Sequence, residues 1–170
     1  ILFSDGAGSA LGKIARGGMA LATFDAIRMM KLLVDQEMSI FKGLDVRVVF
    51  LQNIVTDLVL GYNQGEVLGE YCAHIRKKYG ALPGLITQNM PMLRAKLIEW
   101  GIRDVVICSS INKIGYLMSP NVDAYVDALA QNDGDAYPMM AMSTLASGAV
   151  PAPEAYEFIN QTVELIGKGG

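Results

Sequence analysis

The sequence predicts an α/β protein built on a parallel sheet, and three observations carry that expectation. Short, β-branched apolar words alternate with amphipathic helical stretches from Asp45 onward. Successive strand words start roughly 20 to 35 residues apart, about the length of one βαβ unit. The strand words are nearly continuous in apolar residues, as strands covered on both faces are. Right-handed crossovers between parallel strands follow.

The first clear strand is Val46-Arg47-Val48-Val49-Phe50-Leu51. A helix is expected from Glu66 to Tyr79, where Val67, Tyr71, Ile75 and Tyr79 recur every fourth residue and Gly80 ends it. Leu82 to Thr87 reads as the second strand, and Pro91 to Trp100 as a helix with proline near its start and Gly101 just past its end. Asp104 to Cys108 is the third strand. Ser119-Pro120 opens a helix carrying Val122, Tyr125, Val126 and Leu129 as its stripe. Tyr137 to Met142 is the next strand, and Pro153-Glu154 starts a helix through Tyr156 and Ile159. Ahead of these, Ile1 to Ser4 reads as a strand and Thr23 to Met38 as a helix striped by Phe24, Ile27, Met30 and Val34. The glycine-rich run Gly6 to Gly18 between them reads as loop.

Composition narrows the class. The 170 residues are 52% hydrophobic and 18% charged with a net charge of −3, which argues against disorder and against binding nucleic acid by phosphate neutralisation. The expectation is one α/β domain over residues 1–170. No uncharged apolar window reaches the roughly 18 residues of a spanning helix, and no basic segment precedes an apolar one near the start. A cytoplasmic protein without a membrane partner is therefore expected. Two distant cysteines and one histidine leave no basis for a disulfide framework, a zinc site, or a Ser-His or Cys-His pair.

Five strands fit either a flavodoxin-like, doubly wound open sheet or part of a (β/α)8 TIM barrel of about 250 residues. The words favour the barrel. Gly84 to Asn89 followed by Leu93 to Ile102, the loop Asn112 to Pro120, and Pro138 to Gly148 resemble strand ends of TIM-barrel proteins, distantly aldo-keto-reductase-like and aldolase-like. The resemblance runs from Asp45 to Asn160 and implies the later half of such a barrel, with its site at the carboxyl ends of the strands. It also implies an eighth strand that the words around Asn160 lack. Together with isoleucine at position 1, this gives the expectation that segments of the full polypeptide are missing near residues 12–21 and 160–162.

Ligands of parallel α/β folds meet the carboxyl ends of the strands. That rule selects Gln52, Asn53 and Asp57, then Thr87, Gln88 and Asn89, then Ser109, Ser110, Asn112 and Lys113, and finally Ser143, Thr144, Ser147 and Gly148. Singly, each also reads as a turn or capping residue. Lys113 is the candidate for a Schiff base or a fixed cation, and Asp57 for a general base, with a helix cap as its plainer role. Ser147-Gly148 suits a phosphate held by backbone N–H groups. The glycine run fails as a P-loop, because Ala7 stands five residues before Gly12 and Ile14 follows Lys13. Gly6, Gly8 and Gly12 make a weak dinucleotide signal without an acid at the end of a convincing strand.

The functional expectation is an enzyme of lyase or aldolase type acting on a small anionic or phosphorylated metabolite, cofactor unspecified. A non-catalytic barrel serving binding or homo-oligomerisation is the alternative. An NADP-dependent aldo-keto oxidoreductase ranks third, because that family's Asp-Tyr-Lys-His set has no match once His74 falls mid-helix.

Overall fold

The computed structural model describes residues 25–131 and 136–168. The chain divides into two compact units, Ile1–Asp45 and Val46–Gly170. In the first, a helix over residues 25–38 (α1) agrees with the expected stripe: Ile27 and Met30 are buried and Val34 is half-buried. A short 3-10 turn, Ser39–Phe41, follows. The expected Ile1–Ser4 strand, the glycine run and the 12–21 segment lie outside the described residues.

The second unit holds a four-stranded parallel sheet in the order β1-β2-β3-β4. Its strands are β1 (Val48–Leu51), β2 (Leu82–Thr87), β3 (Val106–Ser110) and β4 (Met139–Met142). Between β1 and β2 run α2 (Asn53–Gly61) and α3 (Gly65–Tyr79). Helices α4 (Met90–Glu99) and α5 (Val122–Ala130) make the next two crossovers, and α6 (Ala152–Lys168) follows β4. The α/β class and the alternation of strands and helices are as expected.

A sheet whose order follows the chain, joined by right-handed crossovers, sends its helices to one face. The pleat and the register place Leu51, Leu85, Ile107 and Thr87, Ser109 on that face. Leu85 and Ile107 are fully buried there, as are Leu93 and Leu97 of α4 and Tyr71 and Ile75 of α3. Each such aliphatic side chain contributes about 1.5–3 kcal/mol on burial. The opposite face carries Val48, Phe50, Ile86 and Met140, together with Gly84. Gly84 is needed there: a Cβ on it would stand 2.3 Å from the Phe50 ring, which lies across it.

Strands β1, β3 and β4 each begin two residues later than expected, β1 at Val48 rather than Val46. The third strand begins at Val106 rather than Asp104, because Asp104 takes a left-handed φ of 56° that breaks the ladder. It therefore runs on through Ser109 and Ser110, both buried. The next strand begins at Met139, although the Pro138 carbonyl already accepts from Ile107 N at 2.9 Å. The residues after β1 form the helix α2, for which the sequence reading names no element. The helical words on either side of Asn160 belong to one helix, in which Thr162 Oγ1 donates to Phe158 O at 2.8 Å.

Candidate functional site

The strand-end residues fall into two groups. At the ends of β1 and β2, Asp57 projects from α2 onto β2. Its Oδ1 accepts from Thr87 Oγ1 at 2.5 Å and its Oδ2 from Gln88 N at 3.0 Å. Thr87 Oγ1 in turn accepts from Asn89 N at 2.9 Å. Asn89 caps α4, its Oδ1 accepting from Met92 N at 3.2 Å. Gln52 is the residue ahead of α2, its carbonyl accepting from Val55 N and Thr56 N. Asn53 is the first residue of that helix and is half-buried.

Tyr125, fully buried on α5, closes this group from above. Its hydroxyl donates to Gln88 O at 2.9 Å, accepts from Met90 N at 3.2 Å and lies 3.1 Å from Ser109 Oγ. Ser109 Oγ donates to Thr87 O at 2.7 Å. Burial pushes the Tyr125 phenol up, and the Asp57 charge adds to that, against the lowering effect of its bonds to Ser109 and Met90. The sequence indicated Tyr125 as a core residue; its hydroxyl partners lie 16 to 37 residues away and leave no local signal.

The loops after β3 and β4 form the second group. Asn112, fully buried, ties them together. Its Nδ2 donates to Tyr116 O at 2.8 Å and to Ser143 O at 3.3 Å, and its Oδ1 accepts from Tyr116 N at 2.8 Å. Strained backbone concentrates here: Leu117, Ser143, Ala146 and Ser147 take left-handed φ values of 46–60°. Such conformations cost of order 1–3 kcal/mol each in non-glycine residues and persist only where surrounding contacts hold them. Ile114, Tyr116, Leu117 and Leu145 are exposed on these loops.

Lys113 stands on the same loop and pairs through Nζ with Glu154 at the start of α6. The two, with Glu157, Phe158 and Gln161, line an open cleft of about 300 Å³. Asp57 is not among the residues lining it, so the two charged candidates do not share this cleft. In the Ser147-Gly148 turn, Gly148 N donates to Leu145 O at 2.8 Å, and the following Ala149 N donates to Ala146 O at 3.1 Å.

The remaining reactive groups sit apart from both clusters. Cys72 is buried on α3, and burial pushes its thiol up to about 11 in spite of Arg76 nearby. Burial likewise raises the Cys108 thiol. His74 packs its ring edge-on to Tyr79 at 6.0 Å on α3. Among the described residues no three His, Cys, Asp or Glu side chains gather as a metal site would require, and no helix is long and apolar enough to cross a membrane. Compared with protein-family models, with curated proteins and with solved structures, the chain matches none.

Proposed function

We propose that the βα units of this chain belong to a (β/α)8 barrel whose strand ends bind a small anionic or phosphorylated metabolite, as a lyase or aldolase-like enzyme does. The barrel reading is supported by the strand order. A complete doubly wound sheet reverses at a switch point, whereas among the described residues the order β1-β2-β3-β4 runs without one, as strands of a barrel wall do.

The observation that carries the ligand reading is Lys113 at the carboxyl end of β3, lining a cleft between that loop and α6. Its side chain is 41% exposed. That exposure fits a fixed cation better than a Schiff-base amine, which needs a desolvated setting. An exposed ion pair is worth at most about 1 kcal/mol. A phosphate that displaces Glu154 from Lys113 gives up little with the ion pair, but the carboxylates of Glu154 and Glu157 line the same cleft and repel it, so the affinity expected is modest. In this scheme Asp57 is a positioning residue that fixes the end of β2 through Thr87 and Gln88.

Calorimetric titration with inorganic phosphate and small phosphorylated carbonyl compounds tests the reading. The expected result is saturable binding that weakens at least tenfold in Lys113→Gln. Absence of binding, or equal binding in the variant, overturns it. The non-catalytic alternative draws support from the separation of Asp57 from the Lys113 cleft. It predicts binding without turnover of any compound that binds.

A further inference from the structure

We infer that the Lys113 cleft selects a zwitterion, a small phosphate ester that also carries an ammonium group. The inference rests on the ligand reading above and names the substrate class of that same site. It starts from the charge balance of the cleft. Lys113, on the loop after β3, faces one stretch of α6, where Glu154, Glu157, Phe158 and Gln161 line the cavity of about 300 Å³. Those four positions are spaced i, i+3, i+4 and i+7, so they share one face of the helix. One lysine stands against two glutamates, which leaves the lining with an excess negative charge.

The two carboxylates are not equivalent. Glu154 pairs with Lys113. Glu157 is exposed, and among the described residues its hydrogen-bond partner is the neutral amide of Gln161, whose Nε2 donates to Glu157 Oε1 at 3.4 Å. Like charges one turn apart on a helix repel, and a cation beside Glu157 relieves that repulsion. Phe158, half-buried, completes this end of the cleft. An aromatic ring among carboxylates is a favourable setting for an ammonium group.

A bare phosphate satisfies only half of this arrangement, because Lys113 attracts it while both glutamates repel it. An aminated phosphate ester satisfies both halves. Its phosphate takes Lys113 from Glu154, and its ammonium group reaches Glu157 one turn further along α6. Three residues of helix rise about 4.5 Å, so a spacer of about two carbons between phosphate oxygen and nitrogen covers the distance.

Amide chemical-shift titrations of the whole chain with O-phosphoethanolamine and with hydroxyethyl phosphate test the inference. The probes differ only in ammonium against hydroxyl, and a chelator is present so that no metal ion bridges phosphate to carboxylate. The expected result is about fivefold tighter binding of O-phosphoethanolamine, with the shifts centred on Lys113 and α6. Glu157→Gln should bring the two affinities to within about twofold of each other. Glu157 is exposed, so the far-ultraviolet circular dichroism of that variant should not change. Lys113→Gln should weaken both probes about tenfold. Equal binding of the probes by the unmodified chain, or a preference that survives Glu157→Gln, overturns the zwitterion and leaves the phosphate reading standing. Failure of both probes to bind, or binding that Lys113→Gln leaves unchanged, overturns the ligand reading itself.

Discussion

The carboxyl ends of β1 and β2 and those of β3 and β4 are built from the same kinds of residue, yet they treat them differently. Around β2, the polar groups of Asp57, Thr87, Asn89, Ser109 and Tyr125 bond to one another and to backbone. Around β3 and β4, one buried amide, Asn112, holds two loops with left-handed residues and exposed apolar side chains, and a lysine stands at their margin. A polar cluster that satisfies itself stabilises and has nothing left to offer a ligand. Strain held in place by a few bonds, next to an exposed charge, is the more informative pattern.

Substitutions at the first cluster should therefore cost the most stability. Asp57→Ala removes two acceptors and leaves the Thr87 hydroxyl and the Gln88 N–H without their partner. Bonds to a charged group contribute about 1.5–3 kcal/mol each, so a loss near 3 kcal/mol is expected in urea unfolding. A loss below about 1 kcal/mol would mean the cluster is looser than its distances imply. Tyr125→Phe should cost about 2 kcal/mol, since Gln88 O and Met90 N both lose the hydroxyl. Its pH dependence has a definite sign. The folded state holds the Tyr125 proton more tightly than the unfolded chain, whose phenol titrates near 10. This contribution is fully present below pH 10 and declines as pH rises above it. In Tyr125→Phe the alkaline decline should be shallower, though Tyr71, also raised by burial, retains part of it.

These two clusters were unequally legible in the sequence. Strand words, helix stripes and glycine stops are local, so the parallel α/β plan could be read directly from Val46 onward. The strand-end rule then named Asp57, Thr87, Asn89, Asn112 and Lys113 as one population. What separates them is long-range pairing: Asp57 with a strand 30 residues on, Tyr125 with a carbonyl 37 residues back, Lys113 with a glutamate 41 residues away. None of these leaves a periodic trace. Helix α2 is hard to read from the sequence for a related reason. Only Thr56 and Leu60 of it are buried, while Ile54 and Leu58 are exposed, so its apolar residues show no single inward stripe.

Asn112→Ala is the corresponding test of the second cluster. The buried side chain makes three bonds to loop backbone, and their loss should cost about 1–2 kcal/mol. The distinctive readout is local: limited proteolysis within 113–118 and 143–148 should accelerate about tenfold, with the rest of the unit still protected. Proteolysis spread evenly over the chain would instead make Asn112 a core residue like Tyr125. Ser147→Gly should act in the opposite direction, because glycine accepts φ near 60° without a Cβ clash, giving a gain of about 0.5–1 kcal/mol.

The smallest stability effect belongs to Lys113, and it is the one that separates structure from function. Lys113 and Glu154 are both close to half-exposed, and solvent screens such a pair to well under 1 kcal/mol. Lys113→Gln should therefore shift the urea midpoint by less than about 0.5 kcal/mol equivalent while abolishing most of the response to phosphate. On the proposed reading the contrast with Asp57 is complete: one charged residue holds the fold, and the other would meet a ligand and barely holds the fold. Should Lys113→Gln destabilise by more than about 1 kcal/mol, the ion pair is a structural tie between β3 and α6. The cleft beside it would then be packing rather than a site.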